Sequence, residues 1–212
     1  MGIWDKFFGK NKAQKPEKSP FLPKEEDPLD IGFAKNFTKK GGKFLFIESD
    51  VSLLKNFKDI CLENNWKPEQ VLSLDETFSS QFGTRPIPQS SGNLKAFKAA
   101  LIECEYLISN TGKILLSENQ IKHFKLPDLP QTIIVKAQMS QLVRDVSQGM
   151  TFLKNKYPRT IPTNITTLKI KSDTEEEKDT TEYNTTSKSI YLLLEDKWFY
   201  ADYFQPIVSI FP

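Results

Sequence analysis

The chain has 212 residues, of which 38% are hydrophobic and 12% aromatic, and this apolar content argues against a globally disordered protein. Its 29 basic and 27 acidic residues leave a formal charge of only +2, whereas dedicated nucleic-acid binders usually carry a large positive surplus. The two cysteines and one histidine are too few for a zinc site or an iron–sulfur cluster, which need about four ligands. We therefore expect no metal and no cofactor.

The distribution of apolar and charged residues also predicts the localisation and the domain organisation of the chain. No run reaches the roughly 18–20 apolar residues of a membrane span, and lysines interrupt the N-terminal apolar residues, so a cytoplasmic protein is expected. Residues 1–28 begin with a short apolar helix candidate and continue as a Lys- and Pro-rich stretch, which predicts a flexible N-terminal segment. A single α/β domain is predicted over 29–196, followed by an aromatic tail over 197–212.

The first half of the domain has a helix–strand–helix–strand pattern. Apolar spacing predicts a helix over 29–39, and the run Phe44–Ile47 is typical of a buried strand. Asp50 is the expected N-cap of a helix that ends near Asn64, and Val71–Leu74 reads as the next strand. Such a β-α-β unit normally places its two strands parallel in one sheet. Residues 83–93 form a predicted loop, and residues 94–102 have no clear period.

The second half opens with a hairpin. Two strand-like runs, 104–109 and 113–117, flank Asn110-Thr111-Gly112, which predicts an antiparallel hairpin. The later elements are predicted as a strand over 133–135, a helix over 140–155, and strands over 165–170 and 189–194. The whole order indicates an open mixed α/β sheet with helices on both faces.

The sequence lacks the familiar motifs of self-sufficient catalysis. The sequence has no G-x-G-x-x-G, no Walker loop and no G-x-S-x-G elbow. His123 stands in a Lys-rich stretch and is expected on the surface rather than as a catalytic base. The acidic run 173–182 is expected as a solvated loop, with cation binding as the alternative. Cys61 and Cys104 are expected to be reduced thiols.

The stretch 105–143 resembles the LUD (lactate-utilisation) domain family. That family shows a strand, a turn of the form A-[DE]-T-G-[ST], a second strand, a Leu-Pro segment and a strand before a Q-[IL]-V helix. Ser109–Lys113 occupy the turn, Leu129-Pro130 and Ile133–Val135 follow in order, and Gln141-Leu142-Val143 would open the helix. Residues 164–196 are similar to a shortened family C-terminus, and FAKNFTKKGGKFLFIE resembles a short subgroup from Bacteroidetes-like bacteria.

The resemblance implies a fold similar to the NagB/RpiA/CoA-transferase class. It also implies a role in the oxidation of L-lactate to pyruvate, with iron–sulfur clusters carried by partner subunits. Asn110 and Lys113 depart from the family turn, and SDTEEEKD stands where the family usually has T-A-D-I-E and a Gly/His loop. A member with these departures is expected to have lost any substrate or phosphate binding that those loops provide.

The turn Asn110, Thr111, Gly112 is the predicted ligand-binding site, since glycine permits a close backbone approach and exposed N–H groups can hold an anion. A plain hairpin turn is the alternative. Three functions stay open: an accessory LUD protein without independent activity, an enzyme of the CoA-transferase or formyltetrahydrofolate-ligase class with an anionic substrate, and a non-enzymatic interaction module.

Overall fold

The fold is taken from a computed structural model that describes residues 27–88, 93–171 and 187–196. The helices are α1 (Leu29–Lys39), α2 (Asp50–Glu63), α3 (Glu76–Phe82), α4 (Glu118–Ile121) and α5 (Val146–Lys156). The strands are β1 (Lys43–Ile47), β2 (Val71–Ser73), β3 (Arg85–Pro86), β4 (Ala99–Glu103), β5 (Tyr106–Ile108), β6 (Lys113–Leu116), β7 (Thr132–Gln138), β8 (Leu142–Val143), β9 (Thr166–Ile170) and β10 (Ser187–Glu195). The mixed α/β architecture predicted from the sequence is confirmed.

The ten strands of the described residues form two groups that are joined where β10 pairs with β9. Six of them make a parallel sheet in the order β3-β2-β4-β7-β10-β1. The other group has the order β8-β5-β6-β9, in which β6 runs antiparallel to β5 and to β9. The first two residues of β10 pair with the end of β9, and this pairing joins the groups. The predicted hairpin of β5 and β6 is therefore present.

Apolar side chains form three clusters that pack the helices and the two groups of strands against each other. Helices α2 and α3 cover one face of the parallel sheet with Phe57, Phe78 and Phe82. Phe33 and Phe37 of α1 and the inner side of the β5-β6-β9 strands cover the other face. Helix α5 packs on the outer side of those strands through Leu153. Helices therefore lie on both faces of the parallel sheet, as the apolar patterns predict.

The start of α2 differs by one residue from the prediction. Ser49, rather than Asp50, is the N-cap, and its hydroxyl accepts a hydrogen bond from the Ser52 backbone N–H at 3.2 Å. The Ser52 hydroxyl in turn accepts from the Ser49 N–H, which completes a capping box. Asp50 is the first helical residue, where its charge suits the positive end of the helix dipole.

The predicted helix over 140–155 is wrong in its first turns. Helix α5 begins only at Val146, because Asp145 caps it by accepting from the Gln148 N–H at 2.9 Å. Met139–Gln141 form a 3-10 turn, and Leu142-Val143 form β8 beside β5. The Gln-Leu-Val segment therefore does not open the helix, because pairing with β5 buries both apolar residues without it.

Strands β1 and β2 are parallel in one sheet, but β4, β7 and β10 lie between them. The unassigned stretch 94–102 holds a 3-10 turn, Leu94–Ala96, and most of β4. The N-terminal segment up to residue 26, residues 89–92, the acidic run 173–182 and the tail 197–212 lie outside the described residues. Within the described ranges, no helix has the length and apolarity that a membrane crossing requires.

Candidate functional site

A polar cleft lies at the carboxyl ends of β2 and β4. Its cavity volume is about 230 Å³. The wall is formed by the ends of these strands, by α4, by the 3-10 turn after β7 and by the end of α5: Leu74, Asp75, Ile102, Glu103, Cys104, Asn119, Gln120, Lys122, Gln141, Lys156 and Tyr157. We call this set the polar cleft. Pockets for drug-sized ligands span roughly 300–1,000 Å³, so the polar cleft suits a smaller molecule.

The topology explains why a cleft forms at this place. From β2 the chain moves outward to β3, whereas from β4 it moves the other way, to β7. The connection after β2 runs through α3 on one face, and the hairpin after β4 lies on the opposite face. The strand order therefore reverses between β2 and β4. In open α/β sheets, ligands bind outside the carboxyl ends of the strands at such a switch point.

Glu105 is the buried anchor of the cleft wall. Its side chain is fully buried, and it follows β4 by two residues. Oε1 accepts hydrogen bonds from the Ser117 hydroxyl at 2.7 Å and from Gln120 Nε2 at 3.0 Å. Oε2 forms an ion pair with Lys156 Nζ at 2.9 Å, and Tyr157 Oη donates to Oε1 at 3.2 Å. A buried carboxylate with this many donors fixes three cleft residues at once.

Glu105 and Lys156 each stabilise the charged form of the other. Burial raises the pKa of Glu105, but hydrogen bonds from Lys156, Gln120 and Ser117 outweigh it and hold the pKa below its ordinary value. For Lys156, burial lowers the pKa, but the bond to Glu105 prevails and raises it. Both groups are therefore charged at neutral pH.

Local sequence signals position the donors. Ser117 is the N-cap of α4, and its capping box with Gln120 sets the first turn of that helix. Lys156 lies in the last turn of α5, where the negative end of the helix dipole favours a cation. Lys122 ends α4 with φ of +55°, a left-handed value that costs strain in a residue other than glycine. Such strain is concentrated at functional sites.

The cleft carries charges of both signs on its wall. Asp75 and Glu103 supply carboxylates at the ends of β2 and β4, and Lys122 and Lys156 supply ammonium groups. Asp75 accepts from the Thr77 hydroxyl and backbone N–H, and the hydroxyl bond is the main cause that lowers its pKa. Burial strongly raises the pKa of the Cys104 thiol, so this thiol is protonated and is a poor nucleophile. No group of three or more metal-ligating side chains occurs in the described ranges.

The predicted site at Asn110, Thr111 and Gly112 lies elsewhere in the fold. These residues form the turn of the hairpin, closed by the Gly112 N–H to the Ile108 carbonyl at 2.8 Å. None of the three lines the polar cleft. The turn packs against the backbone of α1, and a Cβ at Gly112 would come within 2.4 Å of the Phe37 nitrogen.

Within the turn, the polar groups differ in exposure. Asn110 is exposed, and Thr111 is half-buried. The Thr111 hydroxyl oxygen is buried and has no hydrogen-bond partner among the described residues. The close approach to α1 gives Gly112 a structural role. Ligand binding by the turn stays a prediction.

The histidine and the two cysteines singled out in the sequence are the remaining candidates. His123 is exposed, and its ring lies 4.0 Å from the ring of Phe124 between centroids. Cys61 and Cys104 are both free and buried, in agreement with the expectation of reduced thiols.

Sequence reasoning did not identify the Glu105 network. Its members come from three separate places in the chain, and only their contacts bring them together. One signal was available: Glu105 is an acidic residue between the apolar residues Cys104 and Tyr106. A charge in such a run is either exposed or paired, and here it is paired.

Comparisons with known proteins agree with this architecture. A solved structure of a DUF162 family protein from Deinococcus radiodurans is similar to the chain with a TM-score of 0.56. The two are 15% identical, and the match covers 80% of this chain and 96% of that chain. At this identity the likeness shows the fold alone. The search of curated proteins finds no match. Residues 91–194 match the family model described as the LUD domain, a lactate-utilisation-related domain. On the family model and the shared fold together, residues 91–194 of this chain contain a LUD domain.

Proposed function

We propose that this chain is an accessory subunit in L-lactate utilisation that binds a small hydroxy- or oxo-acid in the polar cleft. In this proposal it acts with partner subunits whose iron–sulfur clusters take up the two electrons released when lactate becomes pyruvate. The LUD domain supports the lactate context. The observation that carries the proposal is the position of the cleft, between the diverging strands β2 and β4.

The chemistry of the wall matches such a ligand. A hydroxy acid has a carboxylate that accepts hydrogen bonds and a hydroxyl that also donates one. Lys122 and the amides of Asn119 and Gln141 can donate to the carboxylate, and Asp75 or Glu103 can accept from the hydroxyl. The ion pair between the buried Glu105 and the half-exposed Lys156 holds the wall rigid in the absence of a ligand.

A binding measurement tests the cleft directly. Calorimetric titration of the full chain with L-lactate and with pyruvate is expected to show saturable binding. Lys122→Ala is expected to weaken it about tenfold, the effect of losing one charge-assisted hydrogen bond. Lys125→Ala is the matched control, because Lys125 is an exposed lysine on the same segment but does not line the cleft. Equal affinity in both variants would contradict the proposed site.

A second experiment tests the accessory role. The chain is combined with iron–sulfur lactate-oxidation subunits, and lactate-dependent reduction of an artificial acceptor is measured with and without it. We expect an increase that wild type and Lys125→Ala share and that Lys122→Ala reduces. Turnover of an acyl-CoA or a folate substrate by the isolated chain would instead support the CoA-transferase-like or formyltetrahydrofolate-ligase-like alternative.

A further inference from the structure

In the part of the chain that the structure describes, β1 is the last strand at one edge of the parallel sheet. Among the described residues, β1 pairs only with β10. The Asp196 N–H donates to the Ile47 carbonyl at 3.0 Å, so Ile47 directs its backbone groups towards β10. Because bonding residues alternate along a parallel strand, Leu45 does the same, and the N–H and C=O groups of Phe44 and Phe46 point away from the sheet.

This edge lacks the usual protection of an open strand. At the other end of the sheet, β3 has only two residues, Arg85 and Pro86, and the proline has no N–H to offer. In contrast, β1 has five residues, no proline and a Phe-Leu-Phe centre. Phe46 is 47% exposed. An apolar edge with outward-facing backbone groups favours pairing with a further strand, and the chain itself can supply one.

The chain leaves the described structure beside this edge. The bond from Asp196 to Ile47 fixes the last described residue at the carboxyl end of β1. Residues 197–212 follow it in the sequence. To reach the open side of β1, the chain must pass the end of one strand, a distance of about two strand spacings or 10 Å. Residues 197–206 are more than long enough for this connection.

One segment of those residues has the composition and length of a matching strand. Ile207–Phe211 (IVSIF) stands between Pro206 and Pro212 and has five residues, as β1 does. Three of the five are β-branched aliphatic residues, which favour strands, and none is charged. The two prolines bound the segment because they cannot donate to a ladder.

We propose that Ile207–Phe211 pairs antiparallel with the outer edge of β1 and adds a strand to the parallel sheet. The entry of the chain at the carboxyl end of β1 favours the antiparallel direction, since a parallel strand would need a longer crossover. This strand covers Phe46 and satisfies the backbone groups of Phe44 and Phe46 from within the same chain. The inference is independent of the polar cleft and of any ligand.

Residue-resolved amide exchange of the full chain tests this pairing, and β1 contains its own control. The Leu45 N–H bonds to β10 in either case, whereas the N–H groups of Phe44 and Phe46 are protected only if a further strand is present. We expect protection at all three positions. Val208→Pro is expected to speed exchange at Phe44 and Phe46 by at least about tenfold and to leave Leu45 unchanged. Ala201→Pro, in the connecting residues, is expected to leave all three unchanged.

Two outcomes would overturn the proposal. If the N–H groups of Phe44 and Phe46 in the wild-type chain exchange as fast as in an unstructured peptide, no strand covers the edge. Protection that persists in Val208→Pro and rises with protein concentration would assign the edge to a second copy of the chain, paired β1 to β1. Analytical ultracentrifugation of the same samples gives the oligomeric state needed to recognise this second outcome.

Discussion

Lys156 Nζ lies 2.9 Å from Oε2 of Glu105, and this ion pair ties the end of α5 to the chain just after β4. The carboxylate is fully buried, whereas the lysine is half-exposed at the wall of the polar cleft. The same carboxylate accepts from Ser117 and Gln120 at the start of α4. Three segments of the cleft wall therefore depend on one side chain.

Removing this side chain's charge is expected to destabilise the protein. Glu105→Gln leaves Lys156 without its counter-ion and offers the Ser117 hydroxyl a weaker acceptor. We expect the free energy of unfolding in urea to fall by about 2 kcal/mol, as for hydrogen bonds to a charged group. Glu103→Gln, at an exposed position on the adjacent strand end, should change it by less than about 0.5 kcal/mol. A Glu105 variant as stable as wild type would show that the network does not stabilise the fold.

The same carboxylate predicts a dependence of stability on pH. The pKa of Glu105 in the folded protein lies below its ordinary value of 4.5, so the unfolded chain binds more protons between these two values. The stabilisation by Glu105 is therefore complete above about pH 5 and is lost as the pH falls through the folded pKa. We expect the stability difference between wild type and Glu105→Gln to shrink over this acidic range in urea titrations. A difference that stays constant down to pH 2 would contradict the assignment.

Lys188 makes the opposite kind of prediction, because its charge is buried and no carboxylate of the described residues forms an ion pair with it. It is 2% exposed, and its Nζ donates to the Leu129 carbonyl at 2.9 Å. Burial is the main cause that lowers its pKa. The unfolded chain therefore binds more protons as the pH approaches 10.5, and stability should rise with pH towards that value relative to Lys188→Met. At pH 7, Lys188→Met is expected to lie within about 1 kcal/mol of wild type or to be more stable.

Alanine substitutions at two glycines with nearly equal φ distinguish the cost of backbone strain from the cost of a steric clash. Gly112 has φ of +62° and Gly83 has φ of +66°. A Cβ at Gly83 would meet only Pro68, at 3.9 Å, whereas at Gly112 it would overlap the backbone of α1. Gly83→Ala is expected to cost about 1 kcal/mol, and Gly112→Ala at least about 3 kcal/mol, in urea unfolding. Equal costs at both sites would show that α1 moves away freely.

Local patterns predicted the long helices α1 and α2, most of α5 and most strands, but not the short helices α3 and α4. The spacing of Leu53, Phe57 and Ile60 correctly indicated the buried stripe of α2, because a helix packed on one side has this period. The same reasoning extended α5 too far, since Leu142 and Val143 fit a helical stripe as well as a short strand. Only their pairing with β5, distant in sequence, decides between the two.

The cleft was harder to predict than the fold. Its wall combines residues from 74 to 157, and neither the reversal of strand order nor the Glu105 contacts have a short-range signal. The turn Asn110–Gly112 was predicted as the site because its two turn-forming residues, asparagine and glycine, are visible in the sequence. The structure gives Gly112 a packing reason, the close approach of α1.

The most direct test of the proposed function is an NMR titration of the full chain with L-lactate. The side-chain amides of Asn119, Gln120 and Gln141 report on the polar cleft, and the side-chain amide of Asn110 reports on the hairpin turn. We predict saturable shifts at the three cleft amides, with a midpoint about tenfold higher in Lys122→Ala and with Asn110 unchanged. Shifts confined to Asn110, or no shifts at lactate concentrations that saturate a lactate-oxidising system, would contradict ligand binding at the switch point of the sheet.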